Sequence, residues 1–372
     1  MIGGFDPFGE DGGQMEFGIG VAANINDWRM IQYAEQLGYD LASVGDSQMI
    51  WSDCYATLAL AAEHTSRIRI GTGVAIAATR LAPVTAHSIA SIARLAPGRV
   101  FLGVGTGHTA MRVMGMKPMG ITLFRDYLRV VKGLLRGEEV EYSHEGETRA
   151  IRFLHRDLGF LNLDDPIPII VAANGPMALK AAGALGDGWI SGTKPSPEAF
   201  KRDFAQVKTG AEAAGRSLTQ FNTNGMIGAV VLKPGEKVNS NRVIDSCGSQ
   251  VGCVLHLFYE LVKETGIEEM VPPGFHGIWE QYCALVDKME TSADKRYLEI
   301  HNGHCTFLPE TERELMTPEA IREVCMVGEA DEIIEQLRQT EAAGLKQITV
   351  WPPMATVREV AKDFYEQVIS RY

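Results

Sequence analysis

Two apolar, β-branched runs end in glycines on the same side of a helical stretch: Arg67-Ile-Arg-Ile-Gly-Thr-Gly-Val74 and Gly98-Arg-Val-Phe-Leu-Gly-Val-Gly-Thr-Gly-His108. Between them, Ala82 to Leu95 carries apolar residues at helical spacing. A strand, a helix and a second strand of this kind form a βαβ unit, whose crossover makes the strands parallel and buries both their faces. The same alternation recurs along the chain. Phe17 to Ala23 reads as a first strand, Trp28 to Leu37 as an amphipathic helix closed by Gly38, Leu41 to Val44 as a second strand, and Tyr55 to Thr65 as a helix. Further on, Pro168 to Ala172 runs as a strand into Ala173-Asn-Gly-Pro176. Met177 to Leu185 reads as a helix, Gly188 to Gly192 as a sixth strand, Phe200 to Gly215 as a helix, Asn222 to Leu232 as a seventh strand and Gln347 to Trp351 as an eighth.

Eight such modules predict an α/β fold, a (β/α)8 TIM barrel with insertions. One insertion is a hairpin at about 140–163, where short alternating segments surround Gly146. The larger one is helical and falls between strands seven and eight, at about 234–316. Helical runs near Val251 to Lys263 and Ile278 to Lys288 give this excursion its own structure and set it over the barrel mouth as a lid; Pro318 to Cys325 and Ala330 to Ala343 read as further helices before strand eight. Residues 1–16, glycine-rich and acidic, read as a tail, and 17–372 as one barrel domain.

With 372 residues, 45% hydrophobic and 22% charged, the chain has the balance of a soluble globular protein. Its net charge of -12 argues against nucleic acid as a partner, because phosphate backbones require clustered Lys and Arg. Six scattered cysteines without CxxC spacing read as reduced thiols and give a cytoplasmic expectation. No basic-then-apolar leader and no membrane-spanning run is expected.

Ligands of parallel α/β sheets lie beyond the carboxyl ends of the strands, where Gly103, Gly105, Gly107 and His108 fall. The glycine spacing is GxGxG rather than GxGxxG, and it follows the fourth strand rather than the first, so it is no dinucleotide fingerprint. His108 titrates near neutrality when unperturbed and is the first candidate for a general acid or base; the competing reading is a histidine hydrogen-bonded at a strand end. The segment His301-Asn-Gly-His304-Cys305 is dense in ligand-type residues but has no matching second cluster, so no metal is expected, and His301 or His304 is expected to touch substrate from a lid.

Residues 67–108, with Asp46-Ser47, Ala172-Ala-Asn-Gly-Pro176 and Gly186-Asp-Gly-Trp-Ile190, resemble the bacterial-luciferase-like flavin oxidoreductases. Within that superfamily they are most similar to the coenzyme F420-dependent branch of methylenetetrahydromethanopterin reductase and glucose-6-phosphate dehydrogenase. The resemblance implies a cis peptide at Gly73-Val74 behind the cofactor ring, Asp46 and Ser47 near its polar edge, Thr106 and Gly107 on its floor, and Asn174, Gly175 and Thr193 with Lys194 at its phosphate. A helix amino terminus at Asn174-Gly175 suits an anion; for Asp46 the competing reading is a cap of the next helix. Trp51 matches a pocket tryptophan, and Asp46, Trp51 and His108 are the catalytic candidates. Ser47 stands where sugar-phosphate relatives have a histidine and His108 where they have an acid, so their substrate does not carry over.

The implied activity is hydride transfer between F420 and a small organic substrate. The alternatives are an FMN-dependent monooxygenase acting on an aldehyde or ketone with a partner flavin reductase, and a non-catalytic flavin-fold subunit. The resemblance also implies a homodimer through the helices containing Leu58 to Ala62 and Ile89 to Leu95.

Overall fold

The computed structural model describes residues 14–192 and 194–372. Eight strands close into a barrel: β1 (Glu16–Val21), β2 (Leu41–Val44), β3 (Arg69–Ile76), β4 (Val100–Gly105), β5 (Ile169–Ala172), β6 (Gly188–Ser191), β7 (Asn222–Ile227) and β8 (Gln347–Val350). Neighbours in sequence are neighbours in space, every pair is parallel, and β8 closes on β1. The outer ring is α1 (Arg29–Leu37), α2 (Cys54–Glu63), α3 (Ala82–Leu95), α4 (Ile121–Leu135), α5 (Pro176–Leu185), α6 (Pro197–Ala213), α7 (Ala330–Ala343) and α8 (Val357–Gln367). Covered on both faces, β2, β4, β6 and β8 are buried along their whole length and hold only small or amide polar side chains among their apolar ones. The expected barrel is therefore the observed one, with α4 and α8 supplying alternations that the sequence reading did not place.

Close backbone approach explains the glycines between β3 and β4. A Cβ on Gly71 would lie 2.3 Å from the Phe101 carbonyl, and one on Gly103 2.2 Å from the Thr72 carbonyl. Between Thr72 and Ala75 the pairing slips, and the Gly73-Val74 peptide there is cis, as the family resemblance implies.

Two boundaries depart from the sequence reading. Residues 1–13 of the expected tail lie outside the described residues, but Met15 is buried and bonded through its N–H to Glu341 Oε1, and Glu16 already belongs to β1. The seventh run breaks at Gly228, so Ala229–Val231 leaves the barrel and pairs in parallel with Met326–Gly328. Gly228 O accepts the Met326 N–H at 2.9 Å, and Cys325 Sγ stands where a side chain on residue 228 would project, so the chain changes partner where its backbone is bare. On α2 and α3, Leu58, Ala61, Ala62, Ile89, Ala90, Ile92 and Ala93 pack in the chain's own core.

Residues 140–151 form an antiparallel hairpin, Val140–His144 against Glu147–Ile151, whose turn residues Glu145 and Gly146 both have positive φ. The excursion after β7 has its own apolar core, built on Val243, Cys247, Val251, Leu255, Phe275, Tyr282 and Leu315. Its longest element, the roof helix Asn241–Thr265, spans 25 residues and is capped by Ser240 and Gly266. No helix among the described residues is long and apolar enough to cross a membrane.

Candidate active site

The carboxyl ends of the strands and the roof helix enclose a cavity of about 590 Å³. From the barrel come Asp46, Ser47, Gly73, Val74, Thr106, Gly107, Asn174 and Gly175; the roof contributes Gln250, Cys253, Val254, Leu257, His304 and Cys305. Trp51 and His108 also line it, so the four sequence segments that carried the resemblance meet at one place. His301 does not line it: it is buried behind, hydrogen-bonded through Nε2 to Glu260. Thr193 lies outside the described residues. Lys194 is turned away, its Nζ donating to the Arg322 carbonyl at 2.8 Å, and so has another partner than a phosphate.

Asp46 is almost fully buried and does not cap α2; that role belongs to Asp53, whose Oδ1 accepts from Ala56 N. Asp46 Oδ2 instead accepts from Arg80 Nη1 at 2.6 Å and from Ile76 N at 3.2 Å, and Oδ1 accepts from Gln48 Nε2 at 2.7 Å. Burial pushes its carboxyl above the ordinary carboxylate range, and the Arg80 guanidinium pulls against that shift without cancelling it. Arg80 was missed in the sequence because its partner is thirty-four positions away and an isolated surface-type arginine carries no pattern.

His108 begins a short helix after Gly107, whose φ of 81° only glycine adopts without cost. Burial, reinforced by the Arg112 charge, lowers its imidazole to about 4. Arg112 Nε donates to His108 Nε2 at 3.1 Å and also faces Glu260 Oε2 at 3.0 Å, while Nη1 faces Glu264 Oε1 at 3.1 Å. At neutral pH His108 is therefore a neutral ring with Nε2 engaged as acceptor, leaving Nδ1–H as donor. Of the acid and base roles expected for this residue, that environment disfavours an imidazolium acid at neutral pH. Behind it runs the chain His108, Arg112, Glu260, His301, joining barrel rim to roof.

Trp51 stacks on Trp351 with ring centroids 6.1 Å apart and on His304 at 6.3 Å, and its Nε1 donates to Thr306 Oγ1 at 2.8 Å. Beside it Cys253 Sγ lies 2.9 Å from His304 Nδ1 and 3.3 Å from Cys305 Sγ. The contact with Cys253 holds the Cys305 thiol well below the usual range, with His304 adding to the effect. Burial opposes protonation of His304, but the neighbouring Cys305 charge prevails and raises it. Cys253 went unnoticed in the sequence because 51 residues separate it from His304 and its helix reads as core.

Two buried donors at the cavity, Gln250 Nε2 and Trp351 Nε1, have no protein partner. Unpaired buried donors are costly, and both suit a bound ligand rich in acceptors. Apolar Val74, Ala172, Ile190 and Met226 line the same cavity, and Gly175 caps α5 with nothing within 4 Å of where its Cβ would be. A flat ring bearing carbonyl oxygens and a phosphate tail fits this combination: apolar floor, unpaired donors, and an open helix amino terminus.

A family model described as luciferase-like monooxygenase matches residues 5–347. The chain is 32% identical over 234 residues to the F420-dependent hydroxymycolic acid dehydrogenase of Mycobacterium tuberculosis, covering 58% of this chain and 63% of that protein. It is 33% identical over 207 residues to the 5,10-methylenetetrahydromethanopterin reductase of Methanolobus tindarius, covering 54% and 61%. The matches thus span about six tenths of these relatives' lengths. In three dimensions it resembles the coenzyme F420-dependent tetrahydromethanopterin reductase of Methanopyrus kandleri, with a TM-score of 0.66, 20% identity and coverage of 97% of this chain and 100% of the other, a likeness of fold.

Proposed function

The chain belongs to the luciferase-like monooxygenase family, and from that premise we propose that it is an oxidoreductase that binds coenzyme F420 in the cavity at the barrel mouth and supports hydride transfer to or from a small organic substrate. The observation that carries the reading is the convergence of Asp46, the Gly73-Val74 bend, Thr106-Gly107 and Asn174-Gly175 on a cavity that also presents the unpaired donors of Gln250 and Trp351. Similarity to F420-dependent relatives supports the choice of cofactor.

When bound, the deazaflavin supplies a ring carbon that accepts or gives a hydride. This chain's residues do the rest. Val74 and Ala172 would offer the ring an apolar surface, and Gly175 with the amino terminus of α5 would hold the phosphate. Asp46, fixed by Arg80, Gln48 and Ile76, presents a positioned carboxyl at the polar edge. His108 lines the cavity with Nδ1–H free to donate, and the roof helix with Trp51 excludes water, which strengthens each polar contact inside.

The test is titration of the cofactor-free protein separately with F420 and with FMN, followed by fluorescence and absorption. Tighter binding of F420 and reduction of the bound deazaflavin by an alcohol substrate panel, or its oxidation by a carbonyl panel, is the expected result. Preferential binding of FMN, with oxygen consumption when reduced FMN is supplied, would replace the reading with an oxygenase.

A further inference from the structure

The roof helix and the turn at 301–306 bring Cys253, His304 and Cys305 together at the cavity wall, their three ligand atoms all within 4.8 Å of one another. We propose that this cluster is a metal site taking a zinc-like divalent cation through two thiolates and one imidazole, with its fourth position open to the cavity.

The donor set favours such an ion. Two thiolates and a neutral imidazole match a borderline-soft cation, and their two negative charges neutralise it, so the site buries no net charge. The local backbone is arranged for it. Cys305 is a non-glycine residue at φ 46°, and its N–H donates to Cys253 Sγ at 3.1 Å, a bond that suits a sulfur carrying negative charge. His304 is held by stacking on Trp51 and by Thr306 Oγ1, which donates to the His304 carbonyl at 2.9 Å.

Distances separate this from the competing fate of the two cysteines, a disulfide. Ligands about 2.3 Å (sulfur) and 2.0–2.1 Å (nitrogen) from a tetrahedral zinc lie about 3.8 Å apart for two sulfurs and about 3.5 Å for sulfur and nitrogen. The observed 3.3 Å and 2.9 Å require the ligands to part by about half an ångström, which side-chain torsions supply. A disulfide requires the sulfurs to close from 3.3 Å to about 2.05 Å and leaves the third group, His304, with nothing to bind.

Three protein ligands and one open position mark a site that works on a ligand rather than one that only holds the fold. The opening faces the cavity where the substrate would meet the cofactor. The cation would therefore hold the oxygen of an alcohol or carbonyl substrate as its fourth ligand, polarising it as a Lewis acid. This last statement rests on the oxidoreductase reading; the metal site does not.

Cobalt makes the proposal measurable without activity. Reduced, chelator-stripped protein titrated with Co2+ should bind one equivalent, with near-ultraviolet thiolate-to-cobalt charge transfer and the visible bands of four-coordinate cobalt, and Zn2+ should displace it. Cys253→Ser and Cys305→Ser should each lose the charge-transfer bands while Cys283→Ser keeps them. Azide added to the cobalt protein should shift the visible bands by entering the open position. Absence of those charge-transfer bands in the unsubstituted protein, or isolation of a chain with two thiols missing and a mass two hydrogen atoms lower, would overturn the site. Bands indifferent to azide would overturn the open position. Failure of F420 to bind would leave the cobalt result standing, so the two readings fail separately.

Discussion

Arg80 Nη1 lies 2.6 Å from Asp46 Oδ2, tying the loop after β2 to the turn after β3 at the cavity rim. The same guanidinium reaches Asp53 Oδ2 at 3.0 Å and lies over the Tyr55 ring at 4.7 Å. One arginine thus fixes a candidate catalytic carboxyl and anchors the start of α2.

Replacing Arg80 by alanine leaves Asp46 buried beside no cation. The expected loss is about 3 kcal/mol of stability at neutral pH, read by chemical denaturation. Asp46 already titrates above the ordinary carboxylate value in the folded state, so the folded chain holds its proton to higher pH than the unfolded one. Stability from this group therefore falls as pH rises through that window, and the Arg80→Ala defect should shrink toward acid, where Asp46 is protonated. A defect equal at all pH values would contradict the pairing.

His108 gives a pH signature of the opposite sign. Its folded value of about 4 lies below the ordinary 6.5, so between those values the unfolded chain binds a proton that the folded chain refuses. Its effect on stability is nil at neutral pH and grows as pH falls from 6.5 to about 4. His108→Gln should flatten the wild-type loss of stability in that interval, by up to roughly 3 kcal/mol at its acid end. Proton NMR of the ring that titrates near 6.5 would refute the assigned neutral state.

Gly175 separates cofactor binding from folding. Nothing lies within 4 Å of its would-be Cβ, and its φ of -94° admits any residue. Gly175→Asp should keep or slightly raise thermal stability, because aspartate is a good helix cap. It should also weaken F420 binding at least about tenfold by like-charge repulsion with the phosphate, while a phosphate-free deazariboflavin binds as before. Equal weakening of both ligands would remove the phosphate from this helix end.

Two outer helices cross on a pair of glycines outside the cavity lining. A Cβ on Gly183 would sit 1.9 Å from the Val207 carbonyl, and one on Gly210 2.0 Å from the Lys180 carbonyl, so α5 and α6 touch backbone to backbone. Either glycine changed to alanine should cost about 3 kcal/mol by forcing the helices apart. Since α5 carries the proposed phosphate site, F420 affinity should fall with stability in Gly183→Ala, whereas Gly175→Asp moves affinity alone.

The barrel was legible because parallel strands buried on both faces read as largely apolar runs, and because the runs at β3 and β4 and the turn after β5 carry glycines at the same end. The floor and phosphate segments were legible for the same reason: Val74, Gly107 and Gly175 lie within a few residues of the strands that place them. Where a strand stops was less so. Asn222 to Leu232 reads as one extended run, and the Met326 N–H bonding to Gly228 O divides it.

Local pattern, read along one strand or one helix, determined the architecture and the position of the cavity, since hydrophobic periodicity and turn residues act between neighbours in the chain. Tertiary structure alone decided which groups share a charge or a proton: Asp46 with Arg80, Arg112 with Glu260, and Cys253 with His304 and Cys305. Electrostatic and ligand contacts act through space over a few ångströms, and residues 34 or more positions apart carry no sign of one another until the fold closes.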